Sequence, residues 1–228
     1  FLNHCSDVAH YIPKITKKVL FNPTIKDIVG SKRSSYTNEN YKKILDNIDL
    51  IKFTPKKIKP TKYHKEYEII IKIGAYTGAR ENEICQLTKK DILKDDENNI
   101  YYINLEIDID DDKTLKTISS FRKVPIHSEL EEDLLNYIKS VKTNNLFKIK
   151  SNYFSIEFGE FKTKLGFGRN HVFHSFRNTL HDRLKQAKVQ LQMVNEIVGH
   201  GPEDEEKITN NYTNSYELHI LKEAIEKI

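Results

Sequence analysis

The sequence predicts an α+β chain that is mainly α-helical and carries one small three-stranded antiparallel sheet. Two observations support this. After Thr37, apolar residues recur at intervals of three and four through most of the chain, the spacing of helices with one buried face. The period changes once. Residues 99–109 (NIYYINLEIDI) alternate and are rich in β-branched and aromatic side chains, and DDDKTLKTISS and FRKVPI follow as two further strands or a hairpin pair. Hydrophobic residues at 38% and charged residues at 31% suit a soluble globular chain and set aside the disordered class.

The elements follow in order. Residues 1–30 read as a helix, a turn at Asn22-Pro23 and a short apolar piece (Ile25, Ile28, Val29). GSKRSS, residues 30–35, is polar and basic and reads as a linker. From Thr37, the residues Tyr41, Ile44, Leu45 and Ile48 share a helical face. Lys52 to Lys65 is basic, with lysines at 56, 57, 59, 62 and 65, and is either a solvated loop or a phosphate-contacting edge. Tyr67 to Tyr76 is a strongly apolar core helix that ends in the turn Thr77-Gly78-Ala79. Arg80 opens the next helix, RENEICQL, with Glu83 one turn on and placed to accept a bond from it. Lys113, Lys116, Arg122 and Lys123 decorate the small sheet. Ser128-x-x-Glu131 is a capping box that opens a helix to about Val141. Ser155 to Leu165 looks helical. The tail from Tyr216 to Ile228 is amphipathic, with Leu218, Leu221, Ile225 and Ile228 on one face, and can fold back on its own domain or dock on a second copy.

The chemistry is concentrated between Val172 and Thr213. His174 and Arg177 are three apart on one helical face, while Phe173, Phe176, Leu180 and Leu184 form the apolar stripe of the same helix. The following helix, about Val189 to Val198, stops at Gly199, a good terminator, so His200 sits at a rigid end. Pro202 and Glu203 to Glu206 open a further segment, and Tyr212 follows it. Arginine grips two phosphate oxygens at once and keeps its charge. Histidine donates to a phosphate or moves a proton near neutral pH. A tyrosine beside such cations is a better nucleophile, because positive charge favours the phenolate. Together these groups suit cleavage of a phosphodiester without a metal.

Other classes are less well served. Net charge is +4, from 37 basic and 33 acidic residues, which permits nucleic-acid binding without arguing for it. The two cysteines, Cys5 and Cys85, form no C-x-x-C, so a disulfide scaffold is not expected and a reducing cytoplasm is the default. No apolar run approaches a membrane span and no signal peptide is visible. His171, His174 and His181 are the densest histidine group among nine, but no Cys or carboxylate completes a zinc pattern there. No metal or other cofactor is expected.

In combination, TGARENEICQL, a hairpin lysine ahead of RKVPI, then HSFR, VGH and a tyrosine resemble the catalytic domain of the tyrosine recombinases, the phage-integrase family. The resemblance covers about Thr37 to the C-terminus. It implies a catalytic domain over residues 31–228, preceded at 1–30 by the tail of a core-binding domain and linker. It also implies roles. Arg80 and Arg177 resemble the arginines that hold the scissile phosphate, and Glu83 matches a supporting acidic position. Lys116 best matches the hairpin lysine that acts as general acid for the leaving 5′-hydroxyl. His174 would assist proton transfer at the tyrosine, His200 would bond to the phosphate, and Tyr212 matches the nucleophile. Two positions depart from the pattern. The His200–Tyr212 interval is longer than in many relatives, which leaves Tyr216 as a rival nucleophile, and Asn178 stands where a second histidine is frequent.

The implied activity is site-specific recombination of double-stranded DNA through a 3′-phosphotyrosine. The implied assembly is a homotetramer on paired sites, with accessory DNA-bending or directionality proteins as further partners. Two alternatives are a type IB topoisomerase and a catalytically silent DNA-binding regulator. Strand exchange against plasmid relaxation separates the first pair, and failure to form any covalent adduct would favour the regulator.

Overall fold

The computed structural model describes residues 33–52, 64–105, 121–200 and 215–228. The expectations for residues 1–32, for most of the basic segment, for DDDKTLKTISS and for the segment after His200 lie outside these residues. Helix α1 (Asn38–Asp46) begins at Thr37, whose hydroxyl accepts from the Asn40 N–H at 3.2 Å and so satisfies one of the open donors of the first turn. A short 3₁₀ turn (Ile48–Lys52) leads away from it.

Helix α2 (His64–Thr77) buries Tyr67, Ile69, Ile70, Ile71, Ile73 and Ala75, so it is apolar on nearly every side and must lie inside the fold. Gly74 lets a neighbour come close. A Cβ there would stand 2.3 Å from the Phe173 ring, so any larger residue would displace that ring or the helix. The Thr77 hydroxyl donates to the Ile73 carbonyl and accepts from the Ala79 N–H, and Gly78 takes a left-handed conformation (φ 63°). These bonds turn the chain sharply into the five-residue helix α3 (Glu81–Cys85).

The sheet has three strands among the described residues, in the order β1 (Ile92–Asp95), β2 (Ile100–Leu105), β3 (Arg122–Pro125), all antiparallel. Ile92 pairs with Ile103, and Ile103 pairs with Val124. The expected strand count holds, but β1 comes from ILKD, ahead of the stretch where the period visibly changes. Its burial alternates too weakly over four residues to stand out in sequence.

Helix α4 (Ser128–Ser140) corrects the expected capping box. The N-cap is His127, whose Nδ1 accepts from the Glu129 N–H at 3.1 Å. Ser128 donates through both its N–H and its hydroxyl to the Glu226 carboxylate, each at 2.8 Å. A carboxylate from the far end of the chain therefore takes the role assigned to Glu131, and it is favoured there by the helix dipole. Helix α5 (Ser151–Lys164) starts one turn earlier than expected and buries Phe154, Phe158 and Phe161. Phe154 and Phe158 meet Phe173, and Phe158 also meets Phe176, near helix α6 (Ser175–Gln186), edge-on or tilted, for example Phe154–Phe173 at 5.2 Å and 90°. Of the predicted stripe, Phe176, Leu180 and Leu184 are buried on α6, while Phe173, also buried, precedes the helix.

Helix α7 (Leu191–Val198) buries Val194, Ile197 and Val198 and ends at Gly199, which is left-handed (φ 76°). The N–H groups of Gly199 and His200 both return to the Asn195 carbonyl, at 2.7 and 2.9 Å. The tail helix α8 (Leu218–Ile225) folds back on its own domain, against β3, β2 and α7, with Leu221, Ala224 and Ile225 buried. Lys222 donates to the Ile126 carbonyl at 2.5 Å and pairs with Glu226 at 2.7 Å. No described helix is long and apolar enough to cross a membrane.

Candidate active site

Four segments meet here: the α2–α3 turn, the start of β3, the N-terminal half of α6, and the end of α7. Arg80 stands at the N-cap of α3 in extended backbone. Glu83 reaches back to it. One carboxylate oxygen accepts from the Arg80 guanidinium at 2.5 Å, and the other from the Arg80 N–H at 2.9 Å. The second oxygen also accepts from Arg122 Nη2 at 3.1 Å. Glu83 is thus a buried bridge between two arginines. Burial pushes its pKa up, but the Arg122 charge and the bonds from Arg80 outweigh this, and the net shift is downward.

Arg122 departs from the sequence reading, which groups it with the surface lysines of the sheet. Its side chain is only 2% exposed. Its Nε donates to the Ile197 carbonyl at 3.0 Å. The physical reason is strand alternation. Val124 faces the core, so Arg122, two residues earlier, shares that face, and Glu83 supplies the countercharge. Lys123, between them, is exposed and lies over the Tyr102 ring. The alternation R-K-V was readable in the sequence, and it is the signal that could have found Arg122.

Arg177 is 1% exposed. Its Nη1 donates to the Gly78 carbonyl at 3.0 Å and its Nη2 to the Gly199 carbonyl at 2.7 Å. One guanidinium therefore ties the turn before Arg80 to the turn before His200. Its buried Nε has no hydrogen-bond partner among the described residues. Burial first, then the charges of Arg122 and Arg80, press its pKa down to about 9, against the pull of Glu83, so it stays cationic at neutral pH. His174 occupies the N-cap of α6, half-buried, one turn ahead of Arg177.

His200 is exposed as a residue, but its ring is partly desolvated against the site. That desolvation, followed by the charges of Arg177, His181, Arg80 and His174, lowers its pKa to about 4. His181, one turn beyond Arg177 on the same face of α6, brings its ring to 5.5 Å from that of His200. At neutral pH the His200 ring is uncharged, with one nitrogen donating and the other accepting. An NMR titration of the free domain is expected to show His200 protonating near pH 4, with no step between pH 6 and 8. The sign follows from an unfolded pKa of about 6.5. The folded value is lower, so the stability linked to this group is present above about 6.5 and is lost as pH falls through 4.

Arg80, Glu83, His174, Arg177 and His200 are brought together, and Arg122 joins them. Lys116 and Tyr212 lie outside the described residues. Tyr216 is placed elsewhere. Its hydroxyl meets Gln190 Oε1 at 3.3 Å, at the N-cap of α7, whereas Gly199 and His200 stand at the other end of that helix.

The family model described as "Phage integrase family" matches residues 35–219. No curated protein matches the chain. Among solved structures, the chain is similar to the XerH site-specific recombinase bound to difH substrate (22% identity, 79% of this chain, 51% of that one, TM-score 0.58). It is also similar to the Tn1549 transposon integrase in complex with circular intermediate DNA (19% identity, 92% and 73%, TM-score 0.58) and to the lambda integrase catalytic core (17%, 75% and 94%, TM-score 0.50). At these identities the likeness is one of fold. The chain spans about half the length of the first structures it matches. The family model covers every described site residue from Arg80 to His200, and the chain belongs to the phage integrase family.

Proposed function

We propose that this domain cleaves and rejoins double-stranded DNA at specific sites through a covalent 3′-phosphotyrosine. One observation carries the reading. Two guanidinia, of Arg80 and Arg122, share a single carboxylate, that of Glu83, and a third, of Arg177, stands close enough to feel all three charges, beside the neutral His200. Such a poorly solvated excess of positive charge is complementary to an anion, and a phosphodiester in its pentavalent state carries more negative charge than in its ground state. Arg80 and Arg177 stabilise that charge, and His200 donates one hydrogen bond to a phosphate oxygen. The unpartnered Nε of Arg177 is a donor in reserve, of the kind that buried groups keep for a functional partner.

Tyr212 Oη attacks phosphorus. The P–O5′ bond breaks, Lys116 gives a proton to the leaving 5′-oxygen, and His174 assists removal of the phenolic proton. A 5′-hydroxyl from a second duplex reverses these steps and restores tyrosine. The Tn1549 structure is of a complex with DNA and the XerH structure of one with its difH substrate, which supports DNA as the partner. A tetramer would pair two duplexes, with two copies of the chain on each.

The test is a nicked suicide duplex carrying the cognate site, incubated with the whole chain in EDTA. A denaturant-stable protein–DNA adduct is expected, because the guanidinia supply the charge that a cation would otherwise bring. Absence of any adduct on cognate DNA overturns the reading and leaves a binding protein.

A further inference from the structure

We infer that Arg122 is a positioning residue of this site: without reaching DNA, its guanidinium holds Glu83, and through it Arg80, in register with the Gly199–His200 turn. The inference rests on the proposed function and adds a residue to it.

Three observations meet at this side chain. First, Arg122 Nη2 bonds the same Glu83 oxygen that accepts the Arg80 N–H, so the orientation of that carboxylate, and with it the reach of Arg80, depends on Arg122. Second, Arg122 Nε bonds the Ile197 carbonyl in the last turn of α7, so the same planar group ties α3 to the helix that ends at His200. Third, Gly199 is pressed against it. A Cβ on Gly199 would stand 2.7 Å from Arg122 Nη1 and 2.9 Å from Cζ. The carbonyl of the same Gly199 is held by Arg177. The peptide that delivers His200 is therefore clamped between two guanidinia, one against its Cα and one on its oxygen.

Arg122 spends Nε on the Ile197 carbonyl and Nη2 on Glu83, and Gly199 lies against its Nη1 and Cζ, so the protein itself occupies the edges that a phosphate would take. Its charge still acts there, because it is one of the cations that Arg177 feels. A lysine keeps the charge but loses the rigid fork that serves Glu83 and Ile197 together. The consequence is a split between chemistry and binding. Loss of Arg122 should misplace groups that matter in the transition state and leave the number of phosphate contacts as it was.

The experiment compares Arg122→Met and Arg122→Lys with the unaltered chain. It reads the single-turnover rate of adduct formation at saturating suicide duplex, DNA affinity across salt concentrations, and amide hydrogen exchange without DNA. Arg122→Met is expected to slow adduct formation about 100-fold, the scale of losing one preorganised donor. Affinity should stay within about threefold with an unchanged salt slope, whereas a lost phosphate contact lowers that slope by about one. Arg122→Lys should recover about tenfold of the rate, as charge without the fork. The Arg80 and His200 amides should exchange faster in both variants. A salt slope lowered by one would make Arg122 a direct DNA contact and overturn the inference. So would a rate and amide protection equal to those of the unaltered chain. If Arg122→Met does not fold, Arg122→Lys is judged by the same criteria. If the unaltered chain forms no adduct, the functional reading fails, while amide protection still decides the positioning role.

Discussion

Tyr212→Phe is expected to abolish the covalent protein–DNA adduct, while Tyr216→Phe leaves its rate within about threefold, the scatter of a surface change. The first substitution removes one oxygen and nothing else, and in the proposed mechanism that oxygen forms the bond to phosphorus. Folding and DNA affinity should therefore survive it. The geometry of the rival tyrosine supports the distinction. Tyr216 is bonded through its hydroxyl to Gln190 and through its N–H to Glu196, and its ring packs against the core. Gln190 and Gly199 are at opposite ends of α7, and nine residues at 1.5 Å each put roughly 13 Å between them. To act as nucleophile, Tyr216 would have to leave these contacts and cross the length of the helix. Tyr212 falls between His200 and Ser215 in the sequence, outside the described residues. Adduct formation by Tyr212→Phe at the unaltered rate would move the nucleophile to another residue. Equal loss in both variants would show that Tyr216 anchors the segment on which attack depends.

What the sequence disclosed and what it hid follow one physical line. The isoleucine run of α2, the Phe176–Leu180–Leu184 stripe of α6 and the terminating Gly199 are local signals, set by the period and handedness of a helix, and each is readable in the sequence. So were the positions of Arg80, His174, Arg177 and His200, because motif order ties them to those helices. The hidden features are contacts across long sequence separations. Glu226 replaces Glu131 at the start of α4 from nearly a hundred residues away, and nothing near Ser128 announces it. Arg122 meets Glu83 and Ile197 through pairings that only the assembled sheet creates. The docking of α8 on its own domain was likewise undecidable from amphipathicity, which says that a face must be covered but not by which copy.

Arg177→Met should separate stability from chemistry more sharply than any other change at the site. Two opposing terms govern its effect on folding. The substitution strands the Gly78 and Gly199 carbonyls, each bonded to a charged donor, at a cost of about 1–3 kcal/mol apiece. It also removes a cation that burial, Arg122 and Arg80 all disfavour, which returns part of that cost. Methionine fills much of the same volume, so little cavity is left. The expected net is a loss of no more than about 3 kcal/mol, read by urea unfolding. Cleavage has no such compensation. In the proposed mechanism the charge that destabilises the empty site is the charge that the pentavalent phosphate needs, and the two turns that Arg177 holds carry Arg80 and His200. The single-turnover rate should fall about 10³-fold or more, beyond the effect of one lost oxyanion donor, because one donor and the placement of two others go together. Arg177→Lys should keep the stability and not the rate, since one ammonium on a flexible stem lacks the fixed fork that spans both carbonyls. A methionine variant cleaving within tenfold of the unaltered chain would remove Arg177 from the chemistry and leave it a structural staple between two turns.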